Sequence, residues 1–548
     1  MPALCQPGDV RKIDEVFFGT DGWRAIIGKD FNTATIARVA EATARIFNED
    51  VNAPNGPDGS QDTTEDVCSK PHEETRAATG APRIIIGYDC RENAGCYAAF
   101  VGAIIAAQGF DVAISDAYCP TPTLCYSVAH DDSAVGGIML TSSHNPAEYL
   151  GIKLRMADGG ASPKAFTDRV EAALSNELPA SYEHALAVAQ AAVNGTPQAP
   201  AASLELAPEL VFSDLMTPYL NELISLVDAQ AIAAAGLRIV LDPLYGAGRF
   251  YLSSVLARLG VEEIVEVNGG DDPTFAGLHP EPILPWIETG AQKVAELGYD
   301  ACFVTDGDAD RIGAIDNDGT FVNPHRILAL VVSHLVEGSG QTGRIVRTLS
   351  GSNLVKRQCA RLGLKLTTTP VGFKWIYEEM LKGDVLIGGE ESGGIGIPTH
   401  VRERDGLLMA LLLAEMMAHS GKPLKRLVAE MLKQLGNLEY ARRDLRLTLE
   451  QKERFLVGHV QEIRANEEYQ RLFESLNETI SDVDHRDGLR MNFESDAWLL
   501  MRPSGTEPLV RVYAEASELS RVETLLDIGC LLVQGSDEFE SSVAPYVI

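Results

Sequence analysis

Arg83-Ile84-Ile85-Ile86-Gly87-Tyr88-Asp89 is a short apolar run ended by a carboxylate, and it reads as a strand buried on both faces. A helix-like stretch follows from Asn93 to Gln108, Gly109 stops it, and a new strand starts at Asp111. Strand, helix, glycine stop and return strand make the plan of a right-handed βαβ unit. The plan recurs twice. Leu237 to Asp242 leads through a helix from Gly246 to Leu259, stopped by Gly260, into Glu263 to Val267. Arg344 to Thr348 leads through Asn353 to Leu362 and Gly363 into Leu364 to Thr368. Intervals this long imply copied domains and not a stacked array. The expectation is three α/β domains of similar topology over residues 1–203, 204–316 and 317–436. A smaller fourth domain would span 437–548, where the pattern breaks after Gly436. Linkers are expected near Glu183 to Ala202 and Asp316 to Gly319.

The chain has 548 residues, too many for a single core. A formal net charge of -32 argues against a nucleic-acid partner, because phosphate backbones are held by positive surface. Nine cysteines without a Cys-x-x-Cys pair fit neither a disulfide framework nor a zinc site, which points to a reducing compartment. Met1 to Val10 lacks the basic start and apolar core of a signal peptide, and no run of about 18 apolar residues occurs. A cytoplasmic protein with no membrane partner is expected. Residues Val51 to Ala81, rich in Asn, Pro, Gly, Ser and Thr, read as a surface insertion without chemistry.

Candidate chemistry sits in a few stretches. Thr141-Ser142-Ser143-His144-Asn145-Pro146 follows the apolar run Ala134 to Leu140, so its hydroxyls fall at a strand end, where open α/β sheets bind ligands; it is equally an ordinary turn by composition. Thr305-Asp306-Gly307-Asp308-Ala309-Asp310-Arg311 follows the strand Ala301 to Val304. Three carboxylates at alternate positions repel one another, and a divalent cation relieves the repulsion. Extended, Asp306 and Asp310 would lie roughly 13 Å apart, so the segment must curl, as Gly307 permits. A calcium loop is excluded, since the sixth position is Arg311 and the twelfth is Asn317; magnesium fits better. Gly388 to Gly394 frames Glu390, Glu391 and Ser392 with glycines, which suits hydrogen bonds to a polyhydroxylated ligand or forms a plain turn. Met501 to Pro508, with Arg511 beyond, gathers Arg502, Ser504, Gly505 and Thr506 in the pattern of a phosphate-binding turn. Phe18 to Arg24 is a glycine-punctuated turn carrying one fixed cation, which covers surface or meets an anion.

Taken in chain order, Gly19 to Arg24, Thr141 to Pro146, Asp306 to Arg311, Pro370-Val371-Gly372-Phe373-Lys374, Glu390 to Gly394 and Arg502 to Pro508 resemble the α-D-phosphohexomutase superfamily of phosphoglucomutases and phosphomannomutases, closest to the bacterial-type phosphoglucomutases. The resemblance covers nearly the whole chain. It implies three α/β domains with mixed sheets and a smaller C-terminal α+β domain around a central cleft. It also implies Ser143 as the phosphoryl carrier, since Ser142 stands where relatives often have alanine. Asp306, Asp308 and Asp310 would hold Mg2+ together with an oxygen on Ser143. Lys153 would exchange protons near neutral pH as a partly desolvated lysine. Arg24, His144 and Arg311 would steady the phosphoryl group. Glu390 and Ser392 would grip sugar hydroxyls. Arg502, Ser504, Gly505, Thr506 and Arg511 would hold the non-reacting phosphate, with Lys374 as a further contact.

The implied reaction interconverts hexose 1-phosphate and hexose 6-phosphate. It runs through a phosphoserine enzyme and a hexose 1,6-bisphosphate that turns over in the cleft and serves as activator. Closure of the fourth domain would keep water out. Glu390-Glu391-Ser392 resembles the version in glucose-preferring members, with mannose and glucosamine as alternatives. Two rivals are a phosphatase using the same serine and a non-catalytic relative that binds sugar phosphates. The partner is a small sugar phosphate, and the chain would act as a monomer or homodimer.

Overall fold

A computed structural model describes residues 16–52, 81–194, 210–448, 473, 477–504, 509–534 and 546–547. The first sheet contains β1 (Trp23–Ile26), β2 (Arg83–Tyr88), β3 (Asp111–Ser115), β4 (Ala134–Leu140), β5 (Tyr149–Met156) and β6 (Leu210–Ser213). Their spatial order is β1-β5-β4-β2-β3-β6, and only β5 runs against the rest. The second sheet contains β7 (Arg238–Asp242), β8 (Glu263–Glu266), β9 (Ala301–Thr305), β10 (Ile312–Asp316) and β11 (Phe321–Val322), ordered β11-β10-β9-β7-β8. The third contains β12 (Arg344–Thr348), β13 (Leu366–Thr369), β14 (Val385–Gly389) and β15 (Ile395–Gly396), ordered β13-β12-β14-β15.

All three are mixed sheets of one design. A strand and its βα return lie parallel side by side: β2 with β3, β7 with β8, β12 with β13. The next parallel strand (β4, β9 or β14) then turns back into an antiparallel neighbour (β5, β10 or β15). That reversal leaves the connecting loop at the carboxyl end of a parallel strand, beside a change in strand direction, where side chains escape the sheet toward a ligand. The Thr141 to Glu148, Asp306 to Arg311 and Glu390 to Gly394 stretches are those three loops.

The fourth sheet is antiparallel throughout: β16 (Glu439–Arg446), β17 (Ile480–Asp484), β18 (Leu489–Phe493), β19 (Trp498–Pro503), β20 (Leu509–Ala516) and β21 (Tyr546–Val547), ordered β17-β18-β19-β20-β16-β21. Helix Leu519–Gln534 buries Val522, Leu525, Leu526 and Val533 against it. Its core is separate from the one the second and third sheets share. Polar contacts join it to the third unit: Glu515, held by the Trp498 indole of its own sheet (2.6 Å), accepts from the Asn353 amide (2.7 Å) and the Ser352 hydroxyl. The Tyr440 hydroxyl donates to Ser350 O at 3.0 Å.

Several expectations change. Glu183 to Asn194 is no linker but most of helix Tyr182–Asn194, whose Ala185, Val188 and Ala189 are buried; residues 195–209 lie outside the described segments. Strand β6, beyond residue 203, completes the first sheet. Asp316 to Gly319 starts a hairpin turn inside the second sheet, where Gly319 N donates to Asp316 O at 2.9 Å. The helix expected from Gly246 begins only at Tyr251. Gly246 packs on the aspartate loop so closely that a Cβ there would lie 2.7 Å from Asp306 O, and Leu244, Tyr245 and Phe250 take positive φ to route the chain past it. Of the surface insertion, Val51 and Asn52 end helix Thr33–Asn52, and 53–80 lie outside the described residues.

Candidate active site

Ser143 is fully buried at the start of its loop, in a left-handed conformation (φ 50°) that L residues rarely adopt. Two neighbours hold it there. Its amide donates to Thr141 Oγ1 (2.9 Å), whose hydroxyl donates to Asp89 Oδ2 (2.6 Å). Arg91, paired to the same carboxylate oxygen at 3.0 Å, donates to four carbonyls of the loop: Ser143 and Asn145 at 2.7 Å, Pro146 at 2.6 Å and Tyr149 at 2.9 Å. The Arg91 guanidinium also lies 4.9 Å from the centre of the Phe275 ring in the second unit.

The result is that Ser143 Oγ donates to Asp306 Oδ2 at 3.0 Å. The aspartate loop curls as required, but by a different residue. Ala309 supplies the positive φ (56°), whereas Gly307 is needed for room, since a Cβ would sit 2.4 Å from Ser143 O. Asp306, Asp308 and Asp310 are fully buried, and one oxygen from each lies within 4.8 Å of the others. Asp308 Oδ2 accepts from the Thr121 hydroxyl (2.6 Å) and Lys153 Nζ (2.7 Å). Asp308 Oδ1 and Asp310 Oδ1 are buried and take no hydrogen bond among the described residues. Burial, reinforced by Asp310 and Asp308, pushes the Asp306 carboxyl well above the usual range. Clustered carboxylates with orphaned oxygens fit a divalent cation that takes oxygen ligands.

Lys153 departs from expectation. Burial opposes its charge, but Asp21 (2.9 Å), Asp308 (2.7 Å) and Asp310 (3.0 Å) outweigh that and raise its pKa above that of an ordinary lysine. It is therefore an ammonium, not a group poised near neutrality. Asp21 also pairs with Arg155 at 3.0 Å and with Arg404, and Arg404 reaches Asp310 (2.7 Å), Glu390 (3.2 Å) and Glu403 (3.1 Å). This buried network ties the Gly19 to Arg24 turn, the aspartate loop and the third sheet together.

Arg311 lies 3.7 Å from Asp306 and 3.8 Å from Asp310, and Arg24 donates to Asn145 Oδ1 at 2.6 Å. Burial, with Arg311 and Arg24 nearby, holds His144 well below its usual pKa, so the ring is neutral; its Nδ1 has no hydrogen-bond partner among the described residues. Glu390 is pushed up to about 7 by burial, partly offset by Arg404. Its loop joins the aspartate loop directly, through Ile312 N donating to Gly393 O at 3.1 Å. Glu391 turns away to accept from Ser350 (2.5 Å), Thr348 (3.3 Å) and Tyr513 (3.4 Å), while Ser392 is half-buried beside it.

Arg502 and Arg511 face each other across the β19–β20 pair. Arg502 donates to Asp487 Oδ2 at 2.7 Å, and the same oxygen accepts from Val371 N at 2.8 Å, joining this group to the Pro370 to Lys374 stretch. Lys374 lines a small cavity with Thr20, Asp21, Ser162 and Lys164; burial and Lys164 lower its pKa. Ser504 closes the strand, its amide donating to Leu509 O at 2.9 Å; Gly505 and Thr506 lie outside the described residues. Sequence reasoning therefore missed Asp21, Asp89, Arg91, Thr121, Arg155, Glu403, Arg404 and Asp487. The only available signal was the placing of Asp89 and Arg91 at a strand end and the alternating charges of Arg402 to Asp405.

Family models of the phosphoglucomutase/phosphomannomutase domains match in sequence order: alpha/beta/alpha domain I over 61–180, domain II over 217–319, domain III over 323–435 and the C-terminal domain over 447–528. A phosphoglucomutase/phosphomannomutase of Thermococcus kodakarensis is 30% identical over 453 residues, 83% of this chain and 90% of the relative. The chain belongs to the phosphoglucomutase/phosphomannomutase family. It is an isomerase of the phosphohexomutase type. Other relatives in the family are a phosphoglucomutase of Komagataeibacter xylinus (27% identical; 77% of this chain, 78% of the relative) and a phosphoglucosamine mutase of Carboxydothermus hydrogenoformans (26%; 93% and 97%). The crystal structure of a phosphomannomutase-type protein from Thermus thermophilus matches with a TM-score of 0.73 and 31% identity, covering 95% of this chain and 99% of that one. Among the described residues no helix is long and apolar enough to cross a membrane.

Proposed function

We propose that this family member interconverts glucose 1-phosphate and glucose 6-phosphate through a phosphoryl group carried on Ser143 and a glucose 1,6-bisphosphate intermediate. The observation that carries the reading is the 3.0 Å contact between Ser143 Oγ and the three-aspartate loop. In the first half-reaction the bond between phosphorus and the Ser143 oxygen breaks as one forms to the free sugar hydroxyl. The hydroxyl proton passes to Glu390, whose carboxyl burial holds near 7. Lys153, an ammonium among carboxylates, returns a proton to the serine oxygen. Arg24 and Arg311 hold the transferring group, and neutral His144 donates or accepts a hydrogen bond without adding charge. The bisphosphate then turns over, and Ser143 takes the other phosphate by the reverse of these steps.

Asp306, Asp308 and Asp310 would hold Mg2+, which when bound neutralises charge on the phosphoryl oxygens. Arg502 and Arg511, with Ser504, Gly505 and Thr506, hold the phosphate that does not react; Glu390 and Ser392 meet the sugar hydroxyls, and Lys374 adds a cation at the far side. Glu391 is occupied by Ser350 and Tyr513, so the sugar is read by Glu390 and Ser392. Relatives named for glucose, mannose and glucosamine make substrate competition the needed measurement. Intact mass with peptide mapping of freshly purified protein tests the carrier, and a coupled assay with glucose, mannose and glucosamine phosphates tests the sugar. A phosphate found on another residue, or full activity in Ser143→Ala, refutes the assignment.

A further inference from the structure

Charged side chains alternate in sign from the aspartate loop to the fourth sheet. Arg311 Nε lies 3.7 Å from Asp306 Oδ2 and 3.8 Å from Asp310 Oδ1, and its Nη1 lies 3.8 Å from Glu281 Oε1. The same Glu281 oxygen lies 3.8 Å from Arg442 Nη1, on β16. Arg442 Nε is 3.0 Å from Asp444 Oδ1, and Asp444 Oδ2 is 3.8 Å from Arg511 Nε. Arg511 is the direct cross-strand partner of both Asp444 and Arg502. Glu281 is thus the charged link in this chain between the second and fourth units.

Two features make this more than packing. Glu281, Arg311 and Arg442 are buried, so their attractions are weakly screened. Burial works against the Glu281 carboxylate, and Arg442 with Arg311 outweighs it and holds the group below its usual pKa. Apart from the Arg442–Asp444 link, the pairs stand beyond hydrogen-bond length. Each carboxylate is therefore shared between two guanidiniums, and a small displacement decides which one it serves.

We propose that this chain of charges couples the phosphate clamp of the fourth unit to the cation site of the second. A tetrahedral dianion at Arg502 and Arg511 draws Arg511 from Asp444, and Asp444 then takes Arg442 more fully. Glu281 turns to Arg311, and Asp306 and Asp310 are left freer for a divalent cation. The inference rests on the two binding sites proposed above. By linkage the effect is reciprocal: the cation strengthens dianion binding by the same factor. Its use is discrimination, because the cation site is completed when a phosphate is already seated in the clamp and not when water alone fills the cleft.

The test is calorimetric titration of Mg2+ into the full-length protein, with sodium sulfate as the dianion and sodium chloride at matched ionic strength as control. Sulfate should tighten Mg2+ binding by about fivefold or more in the natural protein. In Glu281→Gln, and in Asp444→Asn, which alters a partly exposed side chain, both ions should still bind while the ratio falls to near one. A ratio near one in the natural protein overturns the coupling. A ratio that persists in both variants also overturns it, by routing the effect elsewhere. Failure of the natural protein to bind either ion overturns the site assignments themselves, and the coupling with them.

Discussion

Ser143 Oγ and Asp306 Oδ2 meet at 3.0 Å although 163 residues separate them along the chain. They sit on corresponding loops of two sheets built to one plan, so the contact is made by docking two copies of a βαβ-plus-hairpin unit. The pairing of a hydroxyl with a carboxylate of the proposed cation site makes Ser143 irreplaceable in the proposed reaction. Ser143→Ala should lower turnover by at least about 10³-fold. Loss of one hydrogen bond should cost only about 1 kcal/mol of stability. Steady-state rates and denaturant unfolding of the same preparation check both halves.

Asp308 and Asp310 each bury an oxygen with no hydrogen-bond partner among the described residues. A chelator should therefore abolish activity, with Mg2+ restoring it. Mg2+ at about 100 times its dissociation constant should stabilise the fold by roughly 2.7 kcal/mol, read as a rise in melting temperature. Asp310→Asn should lose most of that rise. A rise unchanged in this variant would move the cation elsewhere.

Arg91 holds four carbonyls of the serine loop and the Asp89 carboxylate, and is itself 3% exposed. Arg91→Ala leaves the buried Asp89 carboxylate with the Thr141 hydroxyl but no counter-ion, which should destabilise the protein by about 3 kcal/mol or more. Arg91→Lys keeps the charge but loses the planar fork. It should fold, lower kcat by about tenfold and leave KM nearly unchanged, because the nucleophile is misaligned while the phosphate clamp is intact. Equal changes in kcat and KM would show that the clamp serves binding instead.

Asp242 is fully buried at the end of β7, and burial, only partly offset by hydrogen bonds from Asn268 and the Leu244 amide, pushes its pKa to about 7, with Glu266 adding to the rise. A carboxyl whose folded pKa exceeds the unfolded one favours folding while protonated. The contribution is complete below roughly pH 4 and lost as pH rises through 7, a difference of roughly 4 kcal/mol. Thermal stability should fall between about pH 4 and 7 and level off above, and Asp242→Asn should flatten that part of the profile.

Arg502 is anchored by Asp487 and faces Arg511 across two strands. Removing one charge-assisted phosphate contact costs about 1.5–3 kcal/mol. Arg502→Ala should therefore raise KM for the hexose phosphate by roughly ten- to a hundredfold. A KM within twofold of the natural value would remove Arg502 from the clamp.

Local pattern made much of the fold readable. Apolar runs such as Arg83 to Asp89, helices closed at Gly109 and Gly363, and the break after Gly436 all correspond to observed elements. The misreadings arose where packing overrode composition. Gly246 looked like the start of a helix, yet it is a glycine because the aspartate loop passes against it. Glu183 to Asn194 looked like a linker because alanine-rich helices carry little apolar contrast, and its burial comes from its partner.

The sequence by itself determined three α/β units of similar plan, a distinct fourth, and the hydroxyl, carboxylates and guanidiniums at their strand ends, because those follow from side-chain period, turn chemistry and motif order. It could not reveal that Lys153 is an ammonium, that Glu391 faces Ser350 and Tyr513, or that Arg91, Arg404 and Glu281 bind the loops to one another. Those are consequences of distance between residues far apart in the chain. Charge state and orientation depend on which partners tertiary folding brings within a few ångströms and how far it removes them from water.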